Sequence, residues 1–142
     1  MALHNAVTHP SAWPSFELAR ETGDMELIVA ETAMERVSRP TKVSTILTRC
    51  LAKIDGQDAS LQLVRRLSVG SREWLLQQVA SQCRPAQDWH EVHCTDCGSC
   101  FDIAFDLADL PRAAVADDFP VVSLEVTNGS VVLGVPNGAI EE

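Results

Sequence analysis

Four of the five cysteines fall within eighteen residues, as Cys83-x10-Cys94-x2-Cys97-x2-Cys100, and His90 and His93 stand among them. Thiolate sulfur and imidazole nitrogen are the donors zinc prefers. Two cysteines separated by two residues can place both sulfurs on one ion at about 2.3 Å, and a following glycine permits the positive-φ bend that turns backbone amides toward them. Cys94-Thr95-Asp96-Cys97-Gly98 has that form. A closed tetrahedral site takes four ligands, so this single pair needs two more. Cys100 and Cys83 are the first candidates, with His93 and His90 as alternates, because no Cys or His follows residue 100. A second copy contributing its own pair meets the same count, so a homo-oligomer is compatible with the motif. The expected cofactor is Zn2+ in a small knuckle.

The remaining soft and titratable residues have plainer roles. Cys50 falls on an apolar helical stripe and reads as core, while Cys83 suits either the core or the metal. His4 and His9 read as exposed residues of an N-terminal arm. A thiol-disulfide role for Cys94 and Cys97 is the chief chemical alternative. It favours a CxxC pair at a helix start, where the helix dipole lowers a thiol pKa, and strands are expected on both sides here. No Ser/His/Asp pattern, phosphate-cradling glycine loop or HExxH helix is present, so no enzyme is expected.

Charge narrows the partners. Residues 1–83 hold nine basic and nine acidic side chains, whereas residues 84–142 hold Arg84 and Arg112 against eleven acids, which places all of the net −9 in the second half. Such a surface repels phosphate backbones, which argues against nucleic acid and against a zinc-ribbon regulator, the second alternative. A protein partner with a basic face fits better. No apolar run approaches the 18 or so residues that cross a bilayer, the first twenty residues lack a secretory pattern, and clustered cysteines suit a reducing compartment. A cytoplasmic protein is expected.

The elements that must position these groups are helical first and stranded later. Residues 1–22 carry Pro, His, Trp13 and Phe16 without periodicity and read as an extended arm. A first helix runs from an Asp24 cap through Met25, Ile28, Val29, Ala33 and Val37 to Ser38-Arg39-Pro40. A second starts near Pro40 or Thr41, carries Val43, Ile46, Leu47, Cys50, Leu51 and Ile54 on one face, and stops at Asp55-Gly56. Leu61 to Leu67 reads as a short strand. Ser68 caps a third helix bearing Trp74, Leu75, Leu76, Val79, Ala80 and Cys83, closed by Arg84-Pro85. Strands are expected at Trp89 to His93 and Phe101 to Leu107, flanking the cysteine loop, and at Val121 to Val126 and Ser130 to Val135, joined by Asn128-Gly129 in a type I′ turn. The expected class is α+β: an arm over 1–22 and one domain over 23–142, helical to 84 and β-rich with the zinc knuckle from 85.

Along most of residues 17–142 one ordered series stands out. It runs from an acidic helical start at Glu17 to Glu35, through Leu47-x2-Cys50-Leu51 and Leu67-Ser68-Val69-Gly70-Ser71-Arg72-Glu73-Trp74-Leu75-Leu76, to Cys94-x2-Cys97-Gly98. Phe101-Asp102-Ile103, Leu107-x2-Leu110-Pro111 and Val135-Pro136-Asn137-Gly138 complete it. In this order the chain resembles the bacteriophage baseplate hub-assembly proteins of contractile tails and of phage-tail-like injection systems. The resemblance implies a role in assembling or completing a baseplate, as a chaperone that leaves or a minor component that stays. It also implies baseplate or hub proteins as partners and the bacterial host cytosol, or an assembled particle, as location.

Overall fold

The computed structural model describes residues 7–19, 21–83, 88–106 and 111–142. Mixed α and β structure is observed, as five helices and three small antiparallel sheets among these residues.

The helical body starts with β1 (Phe16–Leu18) and α1 (Thr22–Met34), followed by α2 (Arg39–Cys50). Ser38 caps α2, its hydroxyl accepting from the Thr41 N–H, and a proline stands in the first turn, where a missing N–H costs nothing. The helix was expected to run to Ile54 but ends at Cys50 and continues directly as β2 (Leu51–Ile54), which turns back into β3 (Gln57–Asp58). Leu51 and Ile54 are buried as the apolar stripe requires, but as strand residues. The turn explains this. Asp55 and Gly56 both have positive φ, 46° and 74°, the backbone of a type I′ hairpin rather than of a helix stop. β2 also pairs with β1, Phe16 opposite Ile54, so part of the expected arm is a sheet edge.

Leu61 to Leu67, expected as strand, is the helix α3 (Leu61–Arg66). Ser60 caps it by accepting from the Leu63 N–H, and the buried residues Leu63, Val64 and Leu67 follow helical rather than alternating spacing. α4 (Val69–Cys83) begins as expected, with the Ser71 N–H donating to Ser68 Oγ at 3.0 Å. The helical part thus contains four helices where three were expected. Met25 and Ile28 of α1, Val43, Leu47 and Cys50 of α2, Leu63, Val64 and Leu67 around α3, and Leu75 and Val79 of α4 form its core. Phe16 and Trp13 meet Trp74 edge-on, at 5.7 and 5.9 Å between centroids, so both aromatics turn back onto the body. His9, expected to be exposed, is buried instead. Its backbone N–H donates to the Arg66 carbonyl and its Nδ1 accepts from the Ser11 N–H. His4 lies outside the described residues.

Two hairpins follow. β4 (Asp88–His93) pairs with β5 (Cys100–Phe105), and β6 (Val121–Val126) pairs with β7 (Gly129–Gly134). In the second, Thr127 and Asn128 form the turn and Gly129, at φ 142°, is already the first residue of β7. The expected type I′ pair at Asn128-Gly129 is therefore displaced by one residue, since Asn128 does not take positive φ. Arg112 ties the region between the hairpins to the body by lying over the Trp74 and Trp13 rings, 4.9 and 5.7 Å from their centroids.

The chain then returns to the body. The Val69 N–H donates to the Pro136 carbonyl, the Gly138 N–H to Leu67, and Asn137 Nδ2 to Thr8 Oγ1. Asn137 caps α5 (Gly138–Glu141), which was not foreseen. Beneath α5 lies Arg72, 1% exposed. Its guanidinium donates to the Pro40 carbonyl and Ser44 Oγ and pairs with Glu141 and Glu142 at 3.2 and 3.6 Å. A Cβ on Gly138 would collide with that guanidinium. Burial lowers the Arg72 pKa from its ordinary value while the two carboxylates raise it.

Candidate metal centre

The donors are presented by β4, β5 and their connecting turn. Alternating Val92, Phe101, Ile103 and Phe105 form one face of this hairpin, with Phe101 and Ile103 still 48% and 37% exposed. Its extensive contacts among the described elements are between its own two strands. A two-stranded hairpin standing largely alone is at best marginally stable in water, so a cross-link at its tip has a large effect on its order.

The turn is shaped by backbone bonds. The Cys94 N–H donates to the Ser99 carbonyl and the Gly98 N–H to the Cys94 carbonyl, both at 2.9 Å, with Gly98 at φ 71°. This positive φ is the conformation expected of the glycine after a CxxC pair. Cys97 is exposed and Cys94 partly so. Cys97 Sγ and the Ser99 hydroxyl are hydrogen-bonded at 3.2 Å. Hydrogen bonding with Ser99, and next with the Cys94 sulfur, holds the Cys97 thiol below its ordinary pKa, which favours the thiolate that a metal takes.

Directly below the turn is a second donor group. Cys100 stands opposite His93 across the ladder, and Glu91 lies two residues before His93 on the same face. One ligand atom from each of Glu91, His93 and Cys100 falls within 4.8 Å of the others. Glu91 Oε1 lies 3.6 Å from His93 Nε2. Carboxylate oxygen, imidazole nitrogen and thiolate sulfur are all zinc donors, so the chemistry of the set fits the ion. Glu91 was not foreseen. The signal was available in its i, i+2 spacing to His93 on a strand, but attention to Cys and His alone passes over a carboxylate.

The other expected ligands are elsewhere. Cys83 ends α4 and packs against the body core, where burial, then Glu26, push its thiol above the ordinary value. His90 lies on the opposite face of the hairpin from His93 and stacks on Phe105, with centroids 4.5 Å apart. Its Nε2 is shielded and has no hydrogen-bond partner. Cys50 is fully buried in the body core. No disulfide joins any of the five cysteines. The hairpin therefore gathers Cys94 and Cys97 at its tip and Glu91, His93 and Cys100 at its end, while Cys83 belongs to the helical body.

No helix of the described residues is long and apolar enough to cross a membrane. Comparison with protein-family models, with curated proteins and with solved structures finds no match to this chain.

Proposed function

We propose that this chain is a non-catalytic Zn2+-binding protein of protein–protein assembly, acting as a chaperone or minor component in building a contractile-tail baseplate. The observation that carries the metal part is the grouping of Glu91, His93 and Cys100 within 4.8 Å of one another, next to the Cys94/Cys97 turn of the same hairpin. Cys94 and Cys97 bind the ion from the turn, and Cys100 with His93 completes the tetrahedron from the strand ends. Glu91 serves as an outer partner that orients the His93 ring or as an exchangeable oxygen ligand. The assembly part rests on the ordered motif series and on the acidic second half, which suits a basic protein face.

The test is the metal content of the full chain, purified without added zinc and measured by elemental mass spectrometry beside a Cys94→Ser/Cys97→Ser control. About one zinc per chain, lost in the control, supports a closed local site. Half that amount indicates a site shared between two copies, and none removes the metal reading. Purified hub and baseplate proteins of a contractile tail, offered one at a time, test the partner. The redox alternative draws on one observation, the lowered thiol of exposed Cys97 beside Cys94. It requires that the metal-free protein cycle between dithiol and disulfide at these positions without unfolding the hairpin. The turn between two strands lacks the helix start that tunes such pairs.

A further inference from the structure

Trp13 and Trp74 meet at 78° with their centroids 5.9 Å apart, and the Arg112 guanidinium stands over both, 4.9 Å from the Trp74 centroid and 5.7 Å from that of Trp13. Two near-perpendicular rings with one cation within about 6 Å of each centroid make a cation–π corner. The body builds its walls. Trp74 stands on α4 and is met edge-on by Phe16. Trp13 is fixed from both sides along the chain. The Ser71 hydroxyl donates to the Ala12 carbonyl at 2.9 Å, Pro14 is fully buried, and the Ser15 N–H donates to Asp55 Oδ1 at 2.7 Å. The corner is therefore shaped by contacts in which Arg112 takes no part.

The occupant is held differently. Arg112 is exposed, and so are its neighbours over residues 111–116, which belong to neither helix nor strand. Among the described residues its guanidinium has no hydrogen bond or ion pair, so the two rings are its partners. The backbone of residues 111–115 likewise makes no hydrogen bond to the body among these residues. A site shaped in advance, filled by one side chain of an otherwise unbonded segment, is the arrangement of a strap and not of a core contact.

The ligand class follows from the walls. A planar guanidinium stacks on an aromatic face, whereas a quaternary ammonium is held by a cage of several rings. Two rings face the cation here, and the cation they hold is a guanidinium. We infer that the Trp13–Trp74 corner is an arginine site that the chain's own Arg112 fills in the closed state, and that an arginine side chain of a partner protein displaces it. Displacement frees residues 111–116, which follow the metal hairpin in the chain. From Trp89 to Phe105 that hairpin hydrogen-bonds and ion-pairs only within itself among the described residues, so the strap holds its far end to the body. The contact is autoinhibitory, covering the site until a competing arginine arrives. The inference deepens the assembly reading by naming the residue type that the partner offers, and it rests on that reading only for the partner.

The test uses the full chain labelled with fluorotryptophan, its three fluorine NMR resonances assigned with Trp13→Phe and Trp89→Phe. Arg112→Ala should shift the Trp13 and Trp74 resonances and leave Trp89 in place. A blocked Gly-Arg-Gly peptide titrated into Arg112→Ala should shift the same two resonances saturably, at least about threefold more tightly than its uncharged citrulline counterpart. In the native sequence the strap must open first, so at least about threefold more peptide is needed for the same shift. As it binds, elastase should cut within residues 113–116 at least about threefold faster, because only the open strap enters the protease. Trp13→Leu should abolish peptide binding and give the faster cleavage without peptide. Arg112 is exposed, so Arg112→Ala carries the test even where Trp13→Leu does not fold. Equal affinity for the native and Arg112→Ala proteins, equal binding of the citrulline peptide, or binding that leaves elastase cleavage unchanged overturns the inference. A dimer in sedimentation that Arg112→Ala dissociates would assign the corner to Arg112 of a second copy and also overturn it. Hub and baseplate proteins that fail to bind while the arginine peptide competes as expected would sink the assembly reading and leave the arginine site standing.

Discussion

The helical body and the two hairpins follow different rules within one chain. In the body, Leu47, Ile54, Val64, Leu67 and Leu75 are all fully buried, and order follows from apolar area removed from water. In the β6–β7 hairpin every residue is exposed. Val122, Leu124 and Val126 share one face with Val131 and Leu133, each 41–51% exposed. The ladder forms because the register is specified locally, and little beneath it holds that face. The body therefore has stability to lend, and the hairpins present donor atoms and sticky surface at its expense.

The largest expected effect comes from Arg72→Ala. Removing a buried cation from two carboxylates, the Pro40 carbonyl and Ser44 should cost about 3–5 kcal/mol in urea denaturation. Leu47→Ala should follow at about 2–5 kcal/mol, through lost transfer energy and the cavity left in the core. Gly138→Ala, which drives a methyl into the Arg72 guanidinium, should cost about 1–3 kcal/mol by the same assay. If Leu124→Ser in the second hairpin costs as much as any of these, the contrast between body and hairpins fails. The expected value there is within about 0.5 kcal/mol.

Cys94→Ser with Cys97→Ser sharpens the contrast in another way. Global unfolding of the body should move by less than about 0.5 kcal/mol, while hydrogen exchange of the β4 and β5 amides accelerates, as local opening requires. The smallest effect is an order of reactivity. Cys97, whose thiol is held low by Ser99, carries more thiolate at neutral pH than Cys83, whose thiol burial and Glu26 push up. Iodoacetamide followed by peptide mass mapping on metal-free protein should find Cys97 modified before Cys83, and Cys50 last.

What the sequence disclosed divides along the same line. The hairpins were legible because alternation and turn residues lie side by side in the chain, and the Ser68 cap was legible for the same reason. β1 was not, since its partner β2 is more than thirty residues away and three residues of Phe16–Leu18 carry no period of their own. Leu51 and Ile54 fitted a helical stripe and a buried strand equally well, and only the Asp55-Gly56 turn decides between them. Arg72 was hidden most completely. Its partners are Pro40 and Ser44 of α2 and Glu141 and Glu142 at the end of α5, two separated segments that no local pattern connects to it. In the candidate site, Cys94 and Cys97 announced themselves by spacing. Glu91 required the strand register to bring it beside His93, and Cys83 was drawn to the metal by sequence proximity that the end of α4 does not honour.

The return of the chain at Pro136 to Gly138 has a topological consequence. The N–H of Val69 meets the carbonyl of Pro136, and Ser68 bridges Asn137, so both hairpins belong to one long excursion that leaves the end of α4 and comes home beside its start. Closing a flexible loop costs only about 0.6 kcal/mol more for each doubling of its length. The body can therefore carry a longer, shorter or differently armed excursion with little change in its own stability, provided the homecoming residues are kept. In such a design the excursion is exchangeable, like a tool held in a fixed handle.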